Sequence, residues 1–109
     1  MLFTDCNDFF EKTSGLERLS REEEMSLAPL LADGDESAKQ KIVDSYLPAV
    51  AAFMRRVSGE YYSLELVYRL IARLEDEVAK FDFLQDGESF MHRLGIGLRR
   101  ELTAFIADK

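Results

Sequence analysis

Apolar positions repeat with a helical period along most of this chain, and the clearest run is residues 63–83, SLELVYRLIARLEDEVAKFDF. Val67, Ile71, Leu74, Val78 and Phe81 recur at alternating spacings of four and three. That spacing places them on one stripe of a helix. No Gly or Pro interrupts the run, and Ser63 stands where a helix cap belongs. Glu65, Arg69, Arg73, Asp76, Glu77 and Lys80 fall on the opposite surface. Glu65 with Arg69, Arg73 with Glu77 and Asp76 with Lys80 are opposite charges four apart, each pair contributing about 0.2–0.5 kcal/mol on an exposed helix. The pattern predicts the central amphipathic helix of a bundle, with its charged face as the candidate docking face.

The same reading places the other elements. Thr4 or Asp5 can cap a short helix over residues 7–12, anchored by Phe9 and Phe10 and ended by Thr13, Ser14 and Gly15. Ser20-Arg-Glu-Glu23 has the form of a capping box. It opens a helix to about residue 32, with Glu22, Glu23 and Glu24 in the first turn, where the dipole favours acids. Pro29 is expected to kink or end it, and Asp33-Gly34-Asp35 reads as a stop followed by a new cap. A third segment covers 36–46. Pro48 predicts a break near Leu47 and a fresh helix over 48–57, with Val50, Phe53, Met54 and Val57 at helical spacing. Arg55 and Arg56 face outward, and Tyr61 and Tyr62 fall in the loop before the central helix. After a turn at 84–87, Asp86 or Ser89 caps a last helix to about residue 107. Its stripe is Phe90, Leu94, Leu98, Leu102, Phe105 and Ile106, interrupted by Gly95 and Gly97.

A series of about five helices, with no strand pattern, makes the fold all-α, a compact bundle. With 109 residues the chain is a single domain, divided here into an N-terminal helix and linker over 1–19 and a core over 20–109. Apolar residues at 47% and charged ones at 32% exclude wholesale disorder. A net charge of −7 repels nucleic acid unless the bases gather on one face. Cys6 is the only cysteine and His92 the only histidine, too few for a disulfide or a zinc site. Neither a metal nor another cofactor is expected, and a reducing cytoplasm is the expected location. The first ten residues hold two acids and no base, unlike a secretory signal. The longest apolar run, 46–54, is too short to cross a bilayer. The sequence holds no glycine-rich phosphate loop, HExxH or nucleophile elbow, so no enzyme chemistry is expected.

Four landmarks occur in order: LSREEEMSLAPLLADGDESAKQKIV, RRVSGEYYSLEL, VAKFD and LRRELTAFIAD. Together they resemble the conserved domain of bacterial RNA polymerase sigma factors of the sigma-70 family, from region 1.2 through region 2. The resemblance begins near Asp8 and runs to Lys109. It implies a compact helical domain whose central helix docks on the clamp helices of the polymerase large subunit. The following helix would capture the non-template promoter strand. The implied polymerase-binding residues are Glu65, Tyr68, Arg69, Arg73 and Asp76. The implied DNA-binding residues are Phe90, Arg93, Arg99, Arg100 and Thr103.

Departures from the family pattern concentrate on those two helices. Glu65 keeps the family's acid, but Tyr68, Arg69, Ile71 and Glu75 stand where glutamine, glutamate, asparagine and methionine are usual. In the last helix one residue is inserted around 84–86, and Glu88 and Arg93 replace aromatics. Ile96 and Gly97 occupy the tandem tryptophan positions, and Arg100 replaces a base-reading glutamine. Phe90 and Arg99 are retained, and Thr103 matches a neighbouring contact. Two classes of function follow. One is a divergent sigma factor that docks on RNA polymerase core and touches promoter DNA, weakly when alone. The other is a sigma-derived interaction module that binds polymerase or a regulator without melting DNA.

Overall fold

The computed structural model of this chain describes residues 2–84 and 89–108. Five α-helices follow in order, with no strand among the described residues: α1 Cys6–Ser14, α2 Arg21–Ala32, α3 Glu36–Arg55, α4 Leu64–Lys80 and α5 Phe90–Ala107. One 3-10 turn, Gly59–Tyr61, leads into α4. α3 packs on α1, α2 and α4, and α4 packs in turn on α5.

Local chemistry sets most of the helix ends. Asp5, Ser20, Asp35, Ser63 and Ser89 each accept a backbone N–H of the first turn through their side chains. The Ser20 box is complete, because Glu23 also accepts the Ser20 N–H. That bond holds the Glu23 carboxyl below its ordinary range. α2 closes in a Schellman motif, with Gly34 N–H donating to the Leu31 carbonyl and Asp35 N–H to that of Leu30. Gly34 has φ +84°, which no L side chain adopts easily. α2 reaches Ala32 with Pro29 inside it. Asp86, the other candidate cap of α5, lies outside the described residues.

The break predicted at Leu47 is absent, and α3 is one helix of 20 residues with Pro48 in its interior. A proline there costs about 3 kcal/mol. Tyr46, Leu47, Val50 and Ala51 on the flanking turns are all buried, and each large apolar side chain contributes roughly 1.5–3 kcal/mol. Tertiary burial on both sides of Pro48 therefore outweighs its local penalty.

The central stripe also differs from the prediction. Val67, Leu74 and Val78 are fully buried as expected, but Leu66 and Leu70 join them, while Ile71 and Phe81 are only half-buried. α4 lies between α3 and α5, so its buried arc is wider than one stripe and turned toward α5. The helix stops at Lys80 and Phe81 is extended. This lets Phe81 pack edge-on to Phe83 at 4.9 Å and to Phe90 at 5.2 Å.

Candidate functional site

The two faces of α4 have different fates. One is sealed against α5 by alternating charges. Arg69 reaches Glu101 of α5 and Asp108, the residue that caps its C-terminus, each at 3.5 Å, and its guanidinium lies 5.7 Å from the Phe105 ring centre. Arg73 Nε lies 3.7 Å from both Glu77 and Glu101. Arg93 Nε donates to Glu77 at 2.7 Å. The order along the seam is Asp108, Arg69, Glu101, Arg73, Glu77, Arg93, with signs alternating throughout. Gly97 makes room for it: a Cβ there would stand 3.2 Å from Arg73 Nε. Arg73 Nε is buried and has no hydrogen-bond partner among the described residues, so its contacts there are the two ion pairs at 3.7 Å.

This seam corrects the expectation of an outward charged face. Arg69 and Arg73 are half-buried against α5, and Glu77, expected on the surface, is 8% exposed. Glu77 lies in register with Leu70 and Leu74, seven and three residues before it, which is the signal that marks it as inward-facing. Its partner Arg93 is 16 residues away in another helix, beyond the reach of spacing rules. Asp76 stays at the surface, where the Lys80 ammonium at 2.8 Å holds its carboxyl below the usual range.

The other face of α4 is open. Tyr68, Ile71 and Glu75 share a groove of about 310 Å³ with Gln40, Val43, Asp44 and Leu47 of α3 and with Leu2 and Phe3. Its apolar lining is Leu2, Phe3, Val43, Leu47 and Ile71. Among the described residues its charged lining is Asp44 and Glu75, with no base. Tyr68 is 37% exposed, and its hydroxyl accepts the Phe3 N–H at 3.0 Å. Glu65 is exposed in the first turn of the same helix. Sequence reading named Glu65 and Tyr68 on this side but not the α3 wall or residues 2 and 3.

The five candidate DNA residues are dispersed. Phe90 is buried among Tyr46, Phe81 and Phe83, with ring centres 4.7–5.2 Å apart. Arg93 belongs to the seam. Arg99 and Arg100 are exposed on α5. Thr103 is exposed, and its hydroxyl donates to the Arg99 carbonyl at 3.0 Å. Arg99 and Arg56 line a groove of about 250 Å³ between α5 and α3, over Phe53, Met91 and Leu98. Glu88 and most of the insertion at 84–86 lie outside the described residues. Among those residues no group of three His, Cys, Asp or Glu side chains is arranged to hold a metal ion. No described helix is long and apolar enough to cross a membrane.

No protein-family model matches this chain, and no solved structure does. Over 92 residues, 84% of its length, it is 34% identical to the RNA polymerase sigma factor SigA of Clostridium acetobutylicum. The matched stretch is 24% of that protein, so the chain spans about a quarter of its relative's length. This likeness supports a relationship to sigma factors.

Proposed function

We propose that this chain is a sigma-like transcription protein, equivalent to region 2 and the segment before it, that docks on RNA polymerase core through the open face of α4. Glu65, Tyr68, Ile71 and Glu75 form the contact strip, with Gln40 and Asp44 of α3 beside it. The observation that carries this reading is the groove lined by apolar side chains and two carboxylates, on the helix that by resemblance corresponds to the one sigma factors present to the clamp helices. Two carboxylates and, among the described residues, no base in its lining suit a partner helix carrying Lys or Arg beside apolar residues. Arg69 and Arg73 serve this surface indirectly, by fixing α5 against the opposite side of α4. The role is binding, with no catalytic step.

The test is capture of purified core polymerase by the immobilised full chain. Glu75→Lys should weaken capture about tenfold or more, since it sets like charges against each other at the rim, with the melting temperature unchanged. Arg100→Glu, on the far helix, should leave capture as it is. Unaltered capture by Glu75→Lys would remove the groove as the docking site.

The burial of Phe90 and the pairing of Arg93 with Glu77 favour a second reading alongside docking: the module joins polymerase without melting DNA. Only Arg99, Arg100 and Thr103, of the five candidates, are exposed to touch a strand.

A further inference from the structure

The position of Tyr68 is not set by α4 alone. The Phe3 N–H donates to its hydroxyl at 3.0 Å, and the two rings stack with centres 6.1 Å apart and planes 29° apart. Phe3 is itself buried, edge-on to the fully buried Phe9 at 5.0 Å. The backbone on either side is tied to α1. Lys12 Nζ donates to the Leu2 carbonyl at 3.2 Å while paired with Asp8 at 3.0 Å, and Asp8 accepts the Thr4 N–H at 2.9 Å. A half-exposed tyrosine gripped at ring and hydroxyl is confined to one of its rotamers before any partner arrives.

The same anchoring leaves Leu2 at the groove with 82% of its surface in water. A leucine held there by its own backbone contributes nothing to the core. It extends the apolar floor of Val43, Leu47 and Ile71 out to the solvent edge. Residues 2 and 3 also precede Asp8, near which the motif resemblance read from the sequence begins, so those motifs assign them no role.

We infer that residues 2 and 3 complete the docking groove. Leu2 is a direct apolar contact for the partner, and Phe3 is a positioning residue that presents Tyr68. The occupant is a basic amphipathic helix of the polymerase large subunit, matched to the apolar floor and to the Asp44 and Glu75 carboxylates. This inference rests on the docking reading above, and Glu75→Lys separates the two.

The experiment measures Kd between the full chain and core polymerase for Leu2→Ser, Phe3→Leu, Tyr68→Ala and the Phe3→Leu/Tyr68→Ala pair, with Glu75→Lys as reference. Leu2→Ser should weaken binding about fivefold, the scale of one lost leucine contact, with no change in melting temperature. Phe3→Leu keeps an apolar side chain in the core but removes the ring beside Tyr68. It should weaken binding about threefold in the native background and have no effect once Tyr68 is alanine, which a general loss of stability would not reproduce. If Glu75→Lys weakens binding and Leu2→Ser does not, the contribution of residues 2 and 3 is overturned and the docking site stands. A Phe3→Leu effect that persists beside Tyr68→Ala overturns the positioning role. If Glu75→Lys has no effect, the docking reading falls and this inference falls with it.

Discussion

The phenol of Tyr46 joins four segments. It donates to the Glu24 carboxylate of α2, Arg18 of the preceding linker lies 5.1 Å from its ring centre, and the ring meets Phe90 of α5 at 4.7 Å from its place in α3. Burial, then the Glu24 carboxylate, pushes the phenol up to about 12 from an ordinary value of 10.0. The folded state therefore favours the neutral phenol. Its contribution to stability is fully present below pH 10 and is lost as pH rises from about 10 through about 12. Denaturant midpoints measured across that window should fall more steeply for the native chain than for Tyr46→Phe; parallel curves would show that the phenol does not titrate this way. Leu74, fully buried in α4, tests the core itself: Leu74→Ala should lower unfolding stability by about 2–5 kcal/mol. The two glycines of α5 should separate. A Cβ at Gly95 meets nothing closer than Arg99 Nη1 at 3.8 Å, so Gly95→Ala should stabilise by about 0.5–1 kcal/mol through helix propensity alone. At Gly97 the new methyl crowds the middle of the Arg73 side chain, and the gain in melting temperature should be smaller or absent.

In the α4–α5 seam Glu101 and Glu77 each serve two arginines, and Glu77, which joins Arg73 and Arg93, is the more buried of the two. Glu77→Ala leaves two half-buried guanidiniums without their shared carboxylate and should cost about 1–3 kcal/mol in a denaturant titration. Arg69→Ala, whose pairs are at 3.5 Å with Asp108 largely exposed, should cost less, on the order of 0–1 kcal/mol. Equal losses from the two variants would mean that burial does not set the strength of these pairs. Helix starts were legible in the sequence because a cap is decided within four residues, as at Ser20 and Ser63. The continuity of α3 was not, because Pro48 is overruled by Tyr46, Leu47, Val50 and Ala51 packing on other helices. Nor was the breadth of the buried arc of α4, since Leu66 and Leu70 are inward only because α5 closes over them. Half of the candidate surface was legible by the same measure. Glu65 and Tyr68 can be placed from one helix, whereas Leu2, Phe3 and Asp44 meet Tyr68 only after three segments have packed.

The charge of the whole molecule, −7, is unevenly used, and the distribution bears directly on DNA. Residues 83–109 contain four bases and four acids, so the segment of the last helix has no net positive charge. Arg93 is held by Glu77, while Glu101 of α5 and the capping Asp108 are drawn to Arg69. Arg99 and Arg100 are left as exposed bases of α5, and Arg56, which caps α3, joins Arg99 at the groove. Stacking a base on an aromatic ring contributes about 1–3 kcal/mol per base. Phe90, the aromatic that the resemblance to sigma factors points to, packs its ring on Tyr46, Phe81 and Phe83 instead. Binding to a single strand must then rest on phosphate contacts, each adding roughly −0.7 to the slope of log K against log salt. Two or three such arginines give a slope of only about −1.4 to −2, too little to overcome a molecule that repels the strand as a whole. The isolated chain should therefore bind a labelled non-template-strand oligonucleotide weakly near physiological salt, with little preference for sequence, in a fluorescence anisotropy titration. Arg99→Ala and Arg100→Ala should each lower that weak binding and flatten the slope. Tight, sequence-dependent binding abolished by either substitution would instead mean that α5 reads DNA through contacts that open Phe90 out of the core, and the hold of the aromatic cluster on α5 would have to be weaker than its burial implies.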